Sequence, residues 1–212
     1  MAAASEIPAR FPRVRAYVKQ LPEGLESHPQ CRIKASVLQA LISDVPEGSF
    51  DGLPSAISNI VRAPAPVSSW ISHVHANAIV AALRDAVFDS DETFARRCYR
   101  VQADLFSSRI YKMLMIAASP GIILRAVGVR WAAFNKGSSA TTERLDRDAG
   151  TVHVEHPRGL FEASSRASVR EALRATLELA GGRRHVAVQT ASATPGGFSI
   201  EAAWPRRVEP TS

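Results

Sequence analysis

The chain is poor in the residues that mark several protein classes. Two cysteines in 212 residues, Cys31 and Cys98, cannot build a disulfide framework, and a reducing compartment suits them better. No apolar run approaches the roughly 18 residues that span a bilayer. The longest runs, such as residues 113–118, fall far short. The first 15 residues carry charges and prolines but no apolar stretch of the secretory kind. These absences predict a cytoplasmic protein with no membrane partner. Sequence motifs for phosphate and acyl chemistry are missing too. There is no Gly-x-Gly-x-x-Gly, no Gly-x-Ser-x-Gly and no phosphate loop. Lys136-Gly137-Ser138-Ser139 has phosphate-loop residues in the wrong order, after a helix instead of before one.

Charge of one sign is not concentrated anywhere. The formal charge is +6. Residues 1–60 hold six basic and six acidic side chains, and the excess is spread evenly over the rest. A surface that tracks nucleic acid shows a cluster or stripe. This distribution predicts a solvated, arginine-rich surface and no nucleic-acid partner.

What is present is the composition of a globular chain, 46% apolar and 22% charged. Its length suits one large domain or two small ones sharing a core. The clearest pattern lies at 197–204. There Phe198, Ile200, Ala202 and Trp204 alternate with Ser199, Glu201 and Ala203, which marks a strand with one buried face. Upstream, strands are predicted at 141–145, 151–155 and 184–190. A helix over 165–180 carries Arg166, Arg170 and Arg174 on its outer face and Val169, Ala172, Leu173, Leu177 and Ala180 inward.

The front of the chain reads as helical. Residues 1–12 form a loose arm, followed by helices over 11–18, 32–43 and 53–61. A long central helix runs from a cap at Ser68 or Ser69 to about Phe88, and another follows Asp89-Ser90-Asp91-Glu92 and continues past Ile110. Ser119-Pro120 opens a helix through Ile122, Ile123, Val127, Trp131 and Phe134. The predicted class is α+β. An N-terminal helical subdomain, 1–136, packs on a C-terminal antiparallel sheet module with one helix, 137–205, and 206–212 is a tail.

Several stretches resemble an uncharacterised paralogous family found mainly in myxobacteria. They are Lys34-Ala35-Ser36, Leu53-Pro54, residues 119–125, Trp131, Phe134-Asn135, residues 172–182 and residues 198–204. That family is distantly similar to haem-nitric-oxide-binding domains and to vinyl-reductase-type domains linked to tetrapyrroles. The resemblance implies a ligand pocket between the helices and the sheet. Haem-binding relatives use a histidine late in the helical part and a Tyr-x-Ser-x-Arg set. Here residues 125–134 hold no histidine and no Tyr-x-Ser-x-Arg occurs. Vinyl-reductase-type relatives often carry cysteines in the last hairpin, and residues 190–195 have none. The expected cofactor is therefore none.

Candidate chemistry is sparse. His73 and His75, at i and i+2 on a helix, point about 200° apart and cannot share a metal. One is expected in the core and one toward solvent. His28 and Cys31 have half the spacing of a zinc site, with no second half, so no metal is expected. His153 and Glu155 share the strand face opposite Val152 and Val154, where a carboxylate near a histidine can orient a base. The aromatics Trp70, Tyr111, Trp131, Phe134 and Phe161 either fill a core or line a pocket, with Arg109, Arg125 and Arg130 as candidate polar groups. The residues expected at a ligand are Trp70, His73, Tyr111, Arg130, Trp131 and His153.

These residues favour a non-catalytic binding or accessory protein. It would hold a bulky apolar or aromatic molecule, or a short peptide, between its lobes, in bacterial signalling or specialised metabolism. A cofactor-independent cyclase or isomerase making a peptide-derived product is the second reading. It would use His73, His75 or His153 for proton transfer. A homodimeric interaction module is the third.

Overall fold

The computed structural model describes residues 6–106, 118–180 and 185–205. Its class is mixed α and β, with helices first and an antiparallel sheet last. In chain order the elements are α1 (Pro12–Gln20), β1 (Arg32–Lys34), α2 (Ala35–Ile42), α3 (Ser55–Arg62), β2 (Trp70–Ser72), α4 (His73–Val87) and α5 (Asp91–Phe106). Then come α6 (Pro120–Arg125), α7 (Val127–Phe134), β3 (Asn135–Lys136), β4 (Ser139–Leu145), β5 (Ala149–Glu155), α8 (Ala163–Leu179), β6 (Ala187–Thr194) and β7 (Gly197–Ala203). No helix among the described residues is long and apolar enough to cross a membrane.

The C-terminal sheet has the order β4-β5-β7-β6, antiparallel throughout. Its buried face is the one the alternation predicts. Val152 and Val154 of β5 and Phe198, Ile200 and Ala202 of β7 are all buried, with Trp204 just beyond. α6 presses close on this face: a Cβ added to Gly150 would lie 2.5 Å from Leu124 Cδ1. α8 is capped by Glu162, whose carboxylate accepts from the backbone N–H groups of Ser164 and Ser165 and from the Ser165 hydroxyl. Three donors at a helix N-terminus are what a buried carboxylate needs.

Several boundaries differ from expectation. The arm is not loose from residue 6 onward, because Ile7 and Phe11 are buried in the core. The helices predicted over 32–43 and from 68 each begin with a three-residue strand. β1 pairs with β2 and with β3 in a second small sheet of order β2-β1-β3. The cap of α4 is Ser72, which accepts from the His75 N–H, not Ser68 or Ser69. The helix opened by Ser119-Pro120 is two helices, broken at Ala126. Its start is as predicted, with Ser119 capping the Ile122 N–H. Arg170 and Arg174 do not face open solvent. Both pair with buried Glu171, and Arg174 also lies over the Tyr99 ring of α5.

Candidate functional site

The helices and the large sheet meet along a seam closed by the segment that joins β5 to α8, residues 156–162. This strap is held from both sides. On the helical side, the Leu160 carbonyl accepts from the Tyr17 hydroxyl at 2.8 Å and from the Asn77 amide at 2.7 Å. On the sheet side, the His156 N–H donates to the Gly196 carbonyl and the Gly159 N–H to that of Pro195. His28, at a φ of 54°, places its Nε2 3.0 Å from the Arg158 carbonyl.

Inside the strap the Phe161 ring meets four others. The His73 ring is 4.9 Å away edge-on, His156 5.0 Å, Phe198 5.4 Å and Trp131 6.1 Å. These separations are those of aromatic rings in contact. His73 is 1% exposed and His156 6%.

The two imidazoles are chemically unusual. The His156 Nδ1 lies 2.9 Å from the Pro157 carbonyl, which can only accept, so Nδ1 carries the proton. Nε2 is left as a bare acceptor, buried and without a partner among the described residues. His73 Nδ1 is also buried and unpartnered. Burial holds the His73 pKa down at about 3, with the neighbouring His156 a smaller cause. Burial also lowers that of His156, against the hydrogen bond to Pro157. Both rings are therefore neutral at pH 7. A buried polar atom without a partner costs about 1–3 kcal/mol, so two beside one ring call for an explanation.

Of the six residues expected at a ligand, the seam brings together His73 and Trp131. Arg130 is exposed on α7. Trp70 is on β2, with Lys34 Nζ and Lys136 Nζ at 4.3 and 4.4 Å from its ring centre. Tyr111 and Arg109 lie outside the described residues. Of the wider aromatic set, Phe161 is central and Phe134 is 48% exposed. His153 faces outward from β5, as its alternation with Val152 and Val154 predicts. Its neighbour there is not Glu155. Its Nδ1 is 3.0 Å from Ser199 Oγ and 3.7 Å from Glu143 Oε1. Hydroxyl and carboxylate thus face the same ring nitrogen, whereas a relay needs one on each.

One histidine of the His73 and His75 pair is expected toward solvent, and with His73 in the core that role is not filled by His75 either. It is half-buried, its Nε2 has no partner, and burial lowers its pKa. The His28 and Cys31 pair holds no metal geometry: Cys31 Sγ donates to the Gly137 carbonyl, and His28 faces the strap. No group of three or more metal-ligating side chains occurs among the described residues. Sequence reasoning missed His156, Tyr17, Asn77 and Glu162. In the sequence His156 stands just after the strand that carries His153, with no site role of its own, and only the fold-back of the strap buries it.

No family model matches the chain, and no curated protein matches it. Solved structures do. A structure from work on heme distortion in the H-NOX family has a TM-score of 0.55 at 6% identity, covering 85% of this chain and 99% of that one. The Fe(II) unliganded H-NOX protein from K. algicida has a TM-score of 0.53 at 7% identity, covering 84% and 99%. An oxygen-binding H-NOX domain related to soluble guanylate cyclases has 0.52 at 7%, covering 84% and 95%.

Whether a haem suits this seam is a question of space and donors. The bare His156 Nε2 is a competent donor to a metal. The space is not there, because Phe161 and its four neighbours fill the seam with rings in contact. A macrocycle would have to displace Phe161 and unhook the strap, so the residues present do not fit haem. The chain shares the fold of H-NOX domains and closes the seam between its helices and its sheet with its own side chains.

Proposed function

We propose that this chain is a non-catalytic binding domain, serving bacterial signalling or specialised metabolism. It takes a small apolar or aromatic molecule, or the aromatic side chain of a short peptide, into the seam in place of the Phe161 ring. The observation that carries this reading is the His156 Nε2, a buried acceptor whose tautomer is fixed by Pro157 and which nothing among the described residues satisfies. A flat molecule bearing one N–H or O–H would satisfy it, while the surrounding rings supply apolar contact. His73 Nδ1 offers a second polar point beside the same ring. The H-NOX-like fold supports a ligand between helices and sheet, and the filled seam supports one smaller than haem.

The test is native mass spectrometry and an absorption spectrum of freshly purified protein, followed by titration with indole and with an anilinonaphthalene dye. Saturable binding of indole is expected. His156→Phe, which keeps a flat ring and removes the acceptor, should weaken it about tenfold, the worth of one buried hydrogen bond. Added haemin should give no stoichiometric complex. The reading fails if no small molecule is retained or bound, or if His156→Phe binds indole as wild type does.

A further inference from the structure

The small sheet presents one face to the core and one to solvent. Register places Ile33, Ile71 and Asn135 on one side, and the two isoleucines pack against the core. The other side carries Arg32 and Lys34 of β1, Trp70 and Ser72 of β2, and Lys136 of β3. Three cations and an indole therefore share a surface about 10 Å across, two strand spacings wide.

The cations are held, not scattered. Lys34 Nζ donates to the Ser68 carbonyl at 2.6 Å, and Arg32 Nε to that of Pro29 at 3.2 Å. Both lysine ammoniums sit over the Trp70 ring, which fixes them near one point. No ion pair among the described residues reaches Arg32, Lys34 or Lys136. Glu26, which acts on His75 together with Arg32, forms none with this patch. Elsewhere the described arginines commonly sit beside carboxylates, as Arg13, Arg84, Arg97 and Arg144 do. The patch is thus a local charge excess in an otherwise mixed surface. Val67, 62% exposed, lies next to Ser68 at its rim.

We propose that this face is a docking surface for an acidic segment of a partner protein. In an extended peptide, carboxylates at alternate positions are about 7 Å apart on one side, a spacing that meets the grouped cations. An apolar residue of the same segment would rest against Val67 and the indole edge. A nucleic acid is favoured less. It rewards a longer track of phosphate contacts and stacks bases on free aromatic faces, whereas ammoniums already approach this ring at 4.3 and 4.4 Å.

The experiment titrates the whole protein with a synthetic peptide of about eight residues, glutamate at alternate positions and a leucine at one end of the same row, long enough to overrun the sheet. Calorimetry at about 50 and about 300 mM salt reads the charge dependence. Parallel arms use a single-stranded oligonucleotide and vesicles rich in phosphatidylserine. The expected result is saturable peptide binding, weakened about tenfold or more by the higher salt and by the Lys34→Gln, Lys136→Gln double variant. Trp70→Leu, which frees the lysines, should weaken it too, while Lys34→Arg retains most of it. Circular dichroism and unfolding midpoints keep folding failure apart from lost binding. The proposal is overturned if wild type shows no saturable peptide binding, or if the double variant binds equally well. Tighter binding of the oligonucleotide or the vesicles than of the peptide overturns it too. Indole binding in the seam is a separate readout and can fail without this one failing.

Discussion

At the scale of single residues, His73 makes the most specific claim. Its ring is 1% exposed and its pKa stands at about 3, against the ordinary 6.5 that an unfolded chain restores. Above pH 6.5 neither state binds the proton, and the folded state keeps its full stability. As the pH falls from 6.5 toward 3, the unfolded chain takes up a proton that the folded one refuses, and stability is lost. The slope for one such group reaches about 1.4 kcal/mol per pH unit. His156 and His75, also held low, add to the loss in the same direction. His73→Leu removes one of these protons and one unsatisfied nitrogen. Urea midpoints should fall less steeply between pH 7.5 and pH 5 in that variant than in wild type. Parallel curves for the two proteins would count against the assignment. The sequence expected one of His73 and His75 in the core from their helical spacing, without choosing between them. It gave no sign of His156, because burial there comes from a strap that folds back through Tyr17 and Asn77.

At the scale of elements, the large sheet was readable and the small one was not. Seven alternating residues at 198–204 announce β7 and its buried face. Strands of two and three residues offer at most one alternation, and their partners lie far away along the chain, so β1, β2 and β3 left no periodic signal. The predicted helix starts at 32 and 68 failed for the same reason: helical spacing of apolar residues continues unbroken from a short strand into the helix after it. The small sheet is tightly built. At Gly137, φ is +75° and an added Cβ would lie 2.7 Å from Cys31 Sγ. Gly137→Ala therefore imposes both backbone strain and a clash. It should destabilise the protein by about 1–3 kcal/mol, read as a lower thermal midpoint. An unchanged midpoint would show that β3 is not seated against Cys31.

At the scale of the whole molecule, the strap is one of the connections between helices and sheet. Its Leu160 carbonyl has two donors from the helical side, and Asn77 is 4% exposed, so neither partner is readily replaced by water. Asn77→Ala with Tyr17→Phe leaves that carbonyl unmet, a cost of about 1–3 kcal/mol. Amide hydrogen exchange should quicken at 156–162 well before it does in β7, because local opening precedes global unfolding. Equal acceleration in both would mean that the strap opens only when the molecule unfolds. The division into a helical front and a sheet module was legible from element order. The filling of the seam was not, since no periodicity tells whether aromatics such as Trp131 and Phe161 line a space or occupy it.

The pairing of β1 with β3 also sets a timetable. Arg32 meets Lys136 across roughly a hundred intervening residues, and such non-local contacts form late. On a ribosome the small sheet stays incomplete until α7 and the residues just after it have emerged. Until then β1 has only β2 beside it, and Cys31 lacks the Gly137 carbonyl that receives its thiol. The helical front is therefore made before the large sheet, but β3 joins it only when synthesis has reached the threshold of that sheet.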